Sequence, residues 1–269
     1  MLVSMSMTAQ DLHPCGTDMG RSQFLQDYQA GKYVMSRNGE DWLVVPMQMH
    51  ITGEDNGTGR TPELLIGESI QIMNAAFEQA KIQFFLIRPY TYINNSTYHN
   101  HTSFRDGRNM MQENNVNDAL NIYICADAAG NCGYYSGGPD AIAMNNSCLD
   151  PDNQTLAHEI GHMLSLPHPF VGWEGTDYDD TAPTPTFLNG REVEKTDGSN
   201  CSLASDGFCD TSPDYLSYRW GCGADSLSNL VQYDPDGVPF QSDGKLIMGY
   251  STGPCRTDFS PEQRDAMCA

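Results

Sequence analysis

Apolar and polar positions alternate along several short stretches of the chain and fall into helical spacing along others. Leu43, Val45 and Met47 stand two apart within residues 42–51, the period that puts every second side chain on one face of a strand. Leu120, Ile122 and Ile124 repeat that pattern. The apolar runs Ile82–Ile87 and Ala141–Met144 read as two further short strands. Ile66, Ile70, Met73 and Phe77 instead follow one face of a helix. Thr61-Pro62-Glu63 supplies its start: a capping hydroxyl, a proline tolerated in the first turn, and a carboxylate at the positive end. Ser260-Pro261-Glu262-Gln263 opens a last helix with a capping-box pattern. Residues 1–35 are polar and irregular, and residues 169–243 are rich in Gly, Pro, Asp and Ser with little periodicity. The order of strand, helix, strands, central helix, irregular region and terminal helix predicts an α+β fold.

A chain of 269 residues is long enough for one large domain or two packed subdomains. Its 14 basic against 35 acidic side chains give a net charge of −21, which argues against nucleic acid or an anionic membrane as partner. No apolar run is long enough to span a bilayer. The opening MLVSMSMTAQ lacks the basic start and apolar core of a signal peptide. Nine cysteines without a Cys-x-x-Cys pair point to disulfides and an oxidising, secretory compartment. The count is odd, so at least one lacks an internal partner. Asn-x-Ser/Thr sites at Asn56, Asn94, Asn95, Asn100, Asn145, Asn153 and Asn200 are glycosylation acceptors only if the chain follows a eukaryotic secretory route.

Residues 158–168 read His-Glu-Ile-Gly-His-Met-Leu-Ser-Leu-Pro-His. His158 and His162 are four apart and share one face of a helix, where two imidazoles can reach one zinc ion. Glu159 can work as base and acid on a zinc-bound water, and His168 can supply a third ligand. Three protein ligands leave a coordination position open, as a catalytic zinc requires. Asp150-Pro151-Asp152-Asn153 precedes this helix and can cap it.

The spacing resembles the metzincin signature H-E-x-x-H-x-x-G-x-x-H with its later Met-turn. Leu246-Ile247-Met248-Gly249-Tyr250-Ser251 looks like that turn, with Met248 as apolar floor and Tyr250 as the tyrosine that some members place near the metal. The chain departs at the signature glycine, which is Ser165. A serine held left-handed there costs on the order of 1 kcal/mol. Pro167 helps end the helix before His168. Further segments are similar to the pappalysin family over roughly residues 40–269. They are Met73-Asn74-Ala75-Ala76-Phe77, Ile82-Gln83-Phe84, Leu120-Asn121-Ile122-Tyr123, Thr155-Leu156-Ala157, Asp206-Gly207-Phe208-Cys209-Asp210-Thr211 and Phe259-Ser260-Pro261-Glu262-Gln263-Arg264.

The resemblance, nearest to ulilysin-like members with a single catalytic domain, implies a metzincin-like zincin fold. Residues 1–35 would be an N-terminal segment, in one reading a pro-segment remnant. Residues 36–269 would be the catalytic domain, with an upper twisted-sheet subdomain over about 36–168 and a lower, irregular, disulfide-linked one over about 169–269. The implied activity is a secreted zinc endopeptidase acting on protein or peptide substrates, with a preference for a basic residue after the cut. An edge strand near Gly133-Tyr134-Tyr135-Ser136 would pair with the extended substrate, and Tyr250 would hydrogen-bond the oxyanion. A catalytically silent binding protein on the same fold is the alternative. Cys15, in Cys15-Gly16-Thr17, is either a cysteine switch that occupies the open zinc position or an ordinary disulfide or thiol. The resemblance suggests Cys201 with Cys222 and Cys209 with Cys255, while Cys125 and Cys132 are close enough in sequence to close a short loop; Cys148 and Cys268 stay unassigned. The acidic residues Glu174, Asp177, Asp179, Asp180, Asp206, Asp210 and Asp214 are either a structural calcium site or a solvated surface.

Overall fold

The computed structural model of the chain describes residues 12–17, 20–33, 41–149, 154–252 and 255–269. The expected cap at 150–153 lies outside them, as does the opening decapeptide. The chain divides into two compact units. The first holds residues 1–17, 42–75 and 82–163; the second holds 18–41, 76–81 and 164–269.

The first unit is built on a six-stranded sheet. β1 (Leu43–Gly53) is followed by α2 (Glu63–Phe77), β2 (Ile82–Leu86) and β3 (Thr91–Asn94); α1 (Gln23–Gln29) precedes it in the second unit. Then come α3 (Ser96–His99), β4 (Asn100–His101), α4 (Phe104–Asn114), β5 (Leu120–Cys125), β6 (Asp127–Ala128), β7 (Gly133–Ser136), β8 (Ala141–Asn145) and α5 (Thr155–Met163). β1 is parallel to β2, β3 and β5, and β5 to β8; β7 runs antiparallel to β8 at the edge. Helical crossovers cover both faces of such a sheet. Met47, Met49 and Ile51 on one side of β1, and Gln48, His50 and Thr52 on the other, are therefore all buried. His50 and Thr52 of this polar face are hydrogen-bonded within the unit. His50 donates to Asn121 at 2.9 Å, accepts from Thr91 at 2.6 Å and stacks on Tyr123. Asn74 on α2 clasps β2, accepting from Phe84 N and donating to Phe84 O.

The strands expected from alternation are present. α1 and α4 were not expected, since only Leu25 is buried on α1, and α4 is polar apart from Gly107, Met110, Met111 and the exposed Phe104. In the second unit the irregular stretch contains two small hairpins, β9 (Phe187–Leu188) with β10 (Arg191–Glu192), and β11 (Gln232–Tyr233) with β12 (Pro239–Phe240). α6 (Pro261–Met267) carries the expected capping box between Ser260 and Gln263, and Phe77 packs on Phe259 beside it. The Arg21 guanidinium ties the N-terminal side of α1 to the Ser202 and Leu203 carbonyls, each at 2.7 Å.

The disulfides correct the expected pairing. Cys201 joins Cys209, Cys222 joins Cys255, and Cys132 joins Cys148. The turns at 198–201 and 204–207 fold the chain back on itself and bring Cys201 to Cys209. A bridge between Trp220 and Ser251 does the same for Cys222 and Cys255. Cys125 does not close a loop with Cys132. Its thiol sits in the core with Met110, Met111 and Tyr134, whereas Cys132 packs with Leu12 and Cys148.

α5 ends at Met163, and Ser165 takes φ +70°, the left-handed turn for which the signature has glycine. Ser165→Gly should exchange about 1 kcal/mol of relieved strain for a similar loss of backbone entropy. Its Tm is therefore expected within about 2 °C of wild type. Ser165→Ile, with a branched Cβ in that region, should lower Tm by about 3–6 °C in a thermal melt.

Candidate metal centre

α5 is buried from Thr155 through His162, and it packs against β7 and β8 of its own unit. Helical spacing brings His158 and His162 together as expected: their Nε2 atoms are 3.1 Å apart and their rings edge to face. Cys15 Sγ lies 3.4 Å from His162 Nε2. Among the described residues, one group of His, Cys, Asp or Glu side chains brings at least three ligand atoms within 4.8 Å of one another, and Cys15, His158 and His162 belong to it.

These separations suit a tetrahedral zinc. Ordinary Zn–N and Zn–S lengths put two nitrogens about 3.3 Å apart, and a sulfur about 3.6 Å from a nitrogen. The donor set also calls for a cation. The Glu159 carboxylate is fully buried, and Thr17 Oγ1 donates to it at 3.2 Å, with the Cys15 thiol at 3.5 Å. Burial first, and the Glu159 charge second, push the Cys15 thiol well above its usual range. A bound cation beside these groups would reverse that and favour thiolate.

Residues 13–17 run beside residues 130–135, along the start of β7. Cys132 N donates to His13 O at 2.9 Å, Gly16 N to Gly133 O at 2.8 Å, and Tyr135 N to Thr17 Oγ1 at 2.8 Å. Two residues here carry roles that the sequence pattern did not show. Thr17 bridges the edge strand and Glu159. Gly133 gives Glu159 its room: a Cβ there would sit 2.9 Å from Glu159 Cγ and 3.1 Å from its Oε1. The tight Gly133-Tyr134 start of an edge strand was the available signal for the second; nothing local marks the first.

The second unit carries the other candidates. His168 is buried, stacks on Phe170 at 4.5 Å and meets the Tyr250 ring edge-on at 5.0 Å. Leu246 to Gly249 forms a turn closed by Gly249 N donating to Leu246 O, with Met248 fully buried within it. The acidic residues of this unit make no comparable ligand group among the described residues. Asp210 caps α6 by accepting from Ser260 Oγ and Glu262 N; Asp179 accepts from Thr181; Glu174 accepts from Gly172 N. Asp177, Asp179 and Asp180 are exposed. Asp206 and Asp214 are buried, accepting from Phe208 N and Thr211 Oγ1 and from Leu216 N and Ser242 Oγ respectively. Burial raises them to about 7 and about 6.

No protein-family profile matches the chain. An extracellular metalloprotease of Verticillium alfalfae is 26% identical over 217 residues, covering 73% of this chain and 72% of its own. One of Colletotrichum graminicola is 22% identical over 249 residues, covering 84% and 75%. Among solved structures, a Tannerella forsythia promirolysin mutant superposes with TM-score 0.60 at 17% identity, over 95% of this chain and 92% of that one. Mature mirolysin with a cleaved peptide gives TM-score 0.56 at 17% identity, over 85% and 91%. The chain is thus similar in sequence to extracellular metalloproteases, in line with the metzincin-type zinc metalloprotease that its sequence resembles. Its fold is that of mirolysin.

Glu194, absent from the sequence candidates, is buried, and its Oε2 has no hydrogen-bond partner among the described residues. Burial, then the nearby Asp206, raise it to about 9. Its folded value exceeds the unfolded one, so folding takes up a proton. Stability from this group is full below about pH 4.5 and drains away as pH rises toward 9. Glu194→Gln, the neutral isostere, should raise Tm at pH 8.5 and leave it nearly unchanged at pH 4.5. Melts of both chains at the two pH values check the sign.

Proposed function

We propose that the chain is a zinc endopeptidase in which His158, His162 and His168 hold the metal, Glu159 moves the proton, and residues 13–17 keep the enzyme latent. The observation that carries this is the meeting of the His158 and His162 Nε2 atoms next to the buried Glu159 carboxylate on one helix. His168 is assigned by its place six residues beyond His162, after the turn at Ser165. Zinc held there would polarise the scissile carbonyl and acidify the attacking water. Glu159 accepts the proton of that water and returns it to the leaving amine. Tyr250, beside His168, donates to the oxyanion of the tetrahedral intermediate, and Met248 supplies an apolar support.

The edge of β7 is the surface on which an extended peptide would add as a strand. Residues 13–17 lie along that edge. The same five residues set Cys15 against His162 and Thr17 against Glu159. They thereby block the edge, a metal position and the base together, which favours Cys15 as a switch over Cys15 as an ordinary thiol. The structure of the promirolysin mutant covers 95% of this chain where that of mature mirolysin covers 85%, and this supports an N-terminal pro-segment. We read the enzyme as acting outside the cell, because its curated relatives are named extracellular and it carries three disulfides. The net charge of −21 suits a basic residue after the cut.

Glu159→Gln should keep one zinc per chain and cut a peptide library about 10²–10⁴-fold more slowly. Wild-type turnover in that variant would sink the base assignment, and the library's cut sites report the preference. Cys15→Ala should activate the full-length chain without removal of its N-terminal segment. An activity equal to that of the unaltered chain would return Cys15 to an ordinary thiol.

A further inference from the structure

Residues 219–222 and 250–252 of the second unit run side by side as a short parallel pair. Trp220 N donates to Tyr250 O at 3.2 Å, and Thr252 N donates to Trp220 O at 2.7 Å, so Trp220 stands opposite Ser251. Successive side chains of a strand alternate between faces. Trp220 and Ser251 therefore share one face, and Arg219 and Tyr250 share the other as direct neighbours, with backbones about 4.8 Å apart. The Cys222–Cys255 disulfide closes the end of this pair and fixes its register.

We propose that Arg219 is a positioning residue for Tyr250, holding a positive charge beside the phenol so that its hydroxyl donates more strongly to an oxyanion. The inference rests on the peptidase reading and on Tyr250's part in it. The Tyr250 ring is already braced by His168, and by Phe170 at a centroid distance of 4.6 Å. Those contacts fix the ring plane but place no charge on it. Arg219 is half-buried. Burial pulls its guanidinium down, and the Tyr250 oxygen pushes it back up, as expected of a cation facing a phenol oxygen. Guanidinium stays charged at every working pH, which lysine in a half-buried position need not do. A cation next to a hydrogen-bond donor strengthens the bond most where the acceptor gains negative charge, which is in the transition state rather than in bound substrate. The signature of Arg219 is accordingly in kcat and not in KM.

The test uses the full-length chain carrying Cys15→Ala as common background. Arg219→Met is expected to lower kcat for peptide cleavage about tenfold with KM within about twofold, and Arg219→Lys to recover part of the loss. In a chain that also carries Tyr250→Phe, Arg219→Met should cost nothing further. A kcat equal to that of the background, or an equal loss with and without Tyr250, overturns the proposal. A second readout needs no turnover. In zinc-free protein labelled at the tyrosine Cζ, the Tyr250 signal, identified by its loss in Tyr250→Phe, should shift in both Arg219→Met and Arg219→Lys. An unmoved Tyr250 signal overturns the pairing. Should the Cys15→Ala chain stay inert toward peptides even after its N-terminal segment is removed, the peptidase reading fails, and this resonance alone decides whether Arg219 acts on Tyr250.

Discussion

A fully buried carboxylate, carried between two histidines of one helix, is the constraint around which the first unit is arranged. Burying Glu159 as an anion would cost several kcal/mol without compensation. Its hydrogen bonds from Thr17 and Cys15 offset only part of that. A divalent ion held by the imidazoles of His158 and His162 would add positive charge beside it. The helix, the glycine edge of β7 and the N-terminal segment each make sense as devices that hold these groups for one.

The second unit meets its electrostatic problem differently. Glu194, Asp206 and Asp214 are buried close in sequence to turns whose backbone amides and hydroxyls are aimed at two of them. Glu194 resolves its burial by keeping its proton, since a neutral carboxyl in an apolar setting is far cheaper than a charged one. The two units thus use the same residue type in opposite states. Glu159 follows His158 on α5 and would remain ionised were a cation bound there; Glu194 stands beside other acids and keeps its proton.

What the sequence made legible follows the reach of each interaction. The pairing of His158 with His162 is fixed by helical pitch within four residues, and the strands by a period of two, so both could be read directly. The left-handed Ser165 was legible for the same reason, as one residue forced to turn the chain. Thr17 and Gly133 act across 142 and 26 positions of sequence to reach Glu159, and no local pattern encodes that. The disulfides illustrate the same limit. Cys201 was expected to reach Cys222, but tight turns inside 198–207 fold it onto Cys209, and only three-dimensional closure selects between such partners. α4 escaped notice because its buried side is two adjacent methionines and a glycine rather than a periodic stripe.

The three disulfides leave Cys15 out, and each lies wholly within one unit. The ties of residues 13–17 include backbone hydrogen bonds and the contact of Cys15 with His162. While covalently attached, this stretch is a tethered ligand presented at an effective concentration on the order of millimolar. Once the chain is severed between Thr17 and β1 it would become a separate peptide, competing at its own affinity and at the concentration of the protein itself. A single cut then changes occupancy of the edge strand by dilution, without any rearrangement of the sheet or of α5.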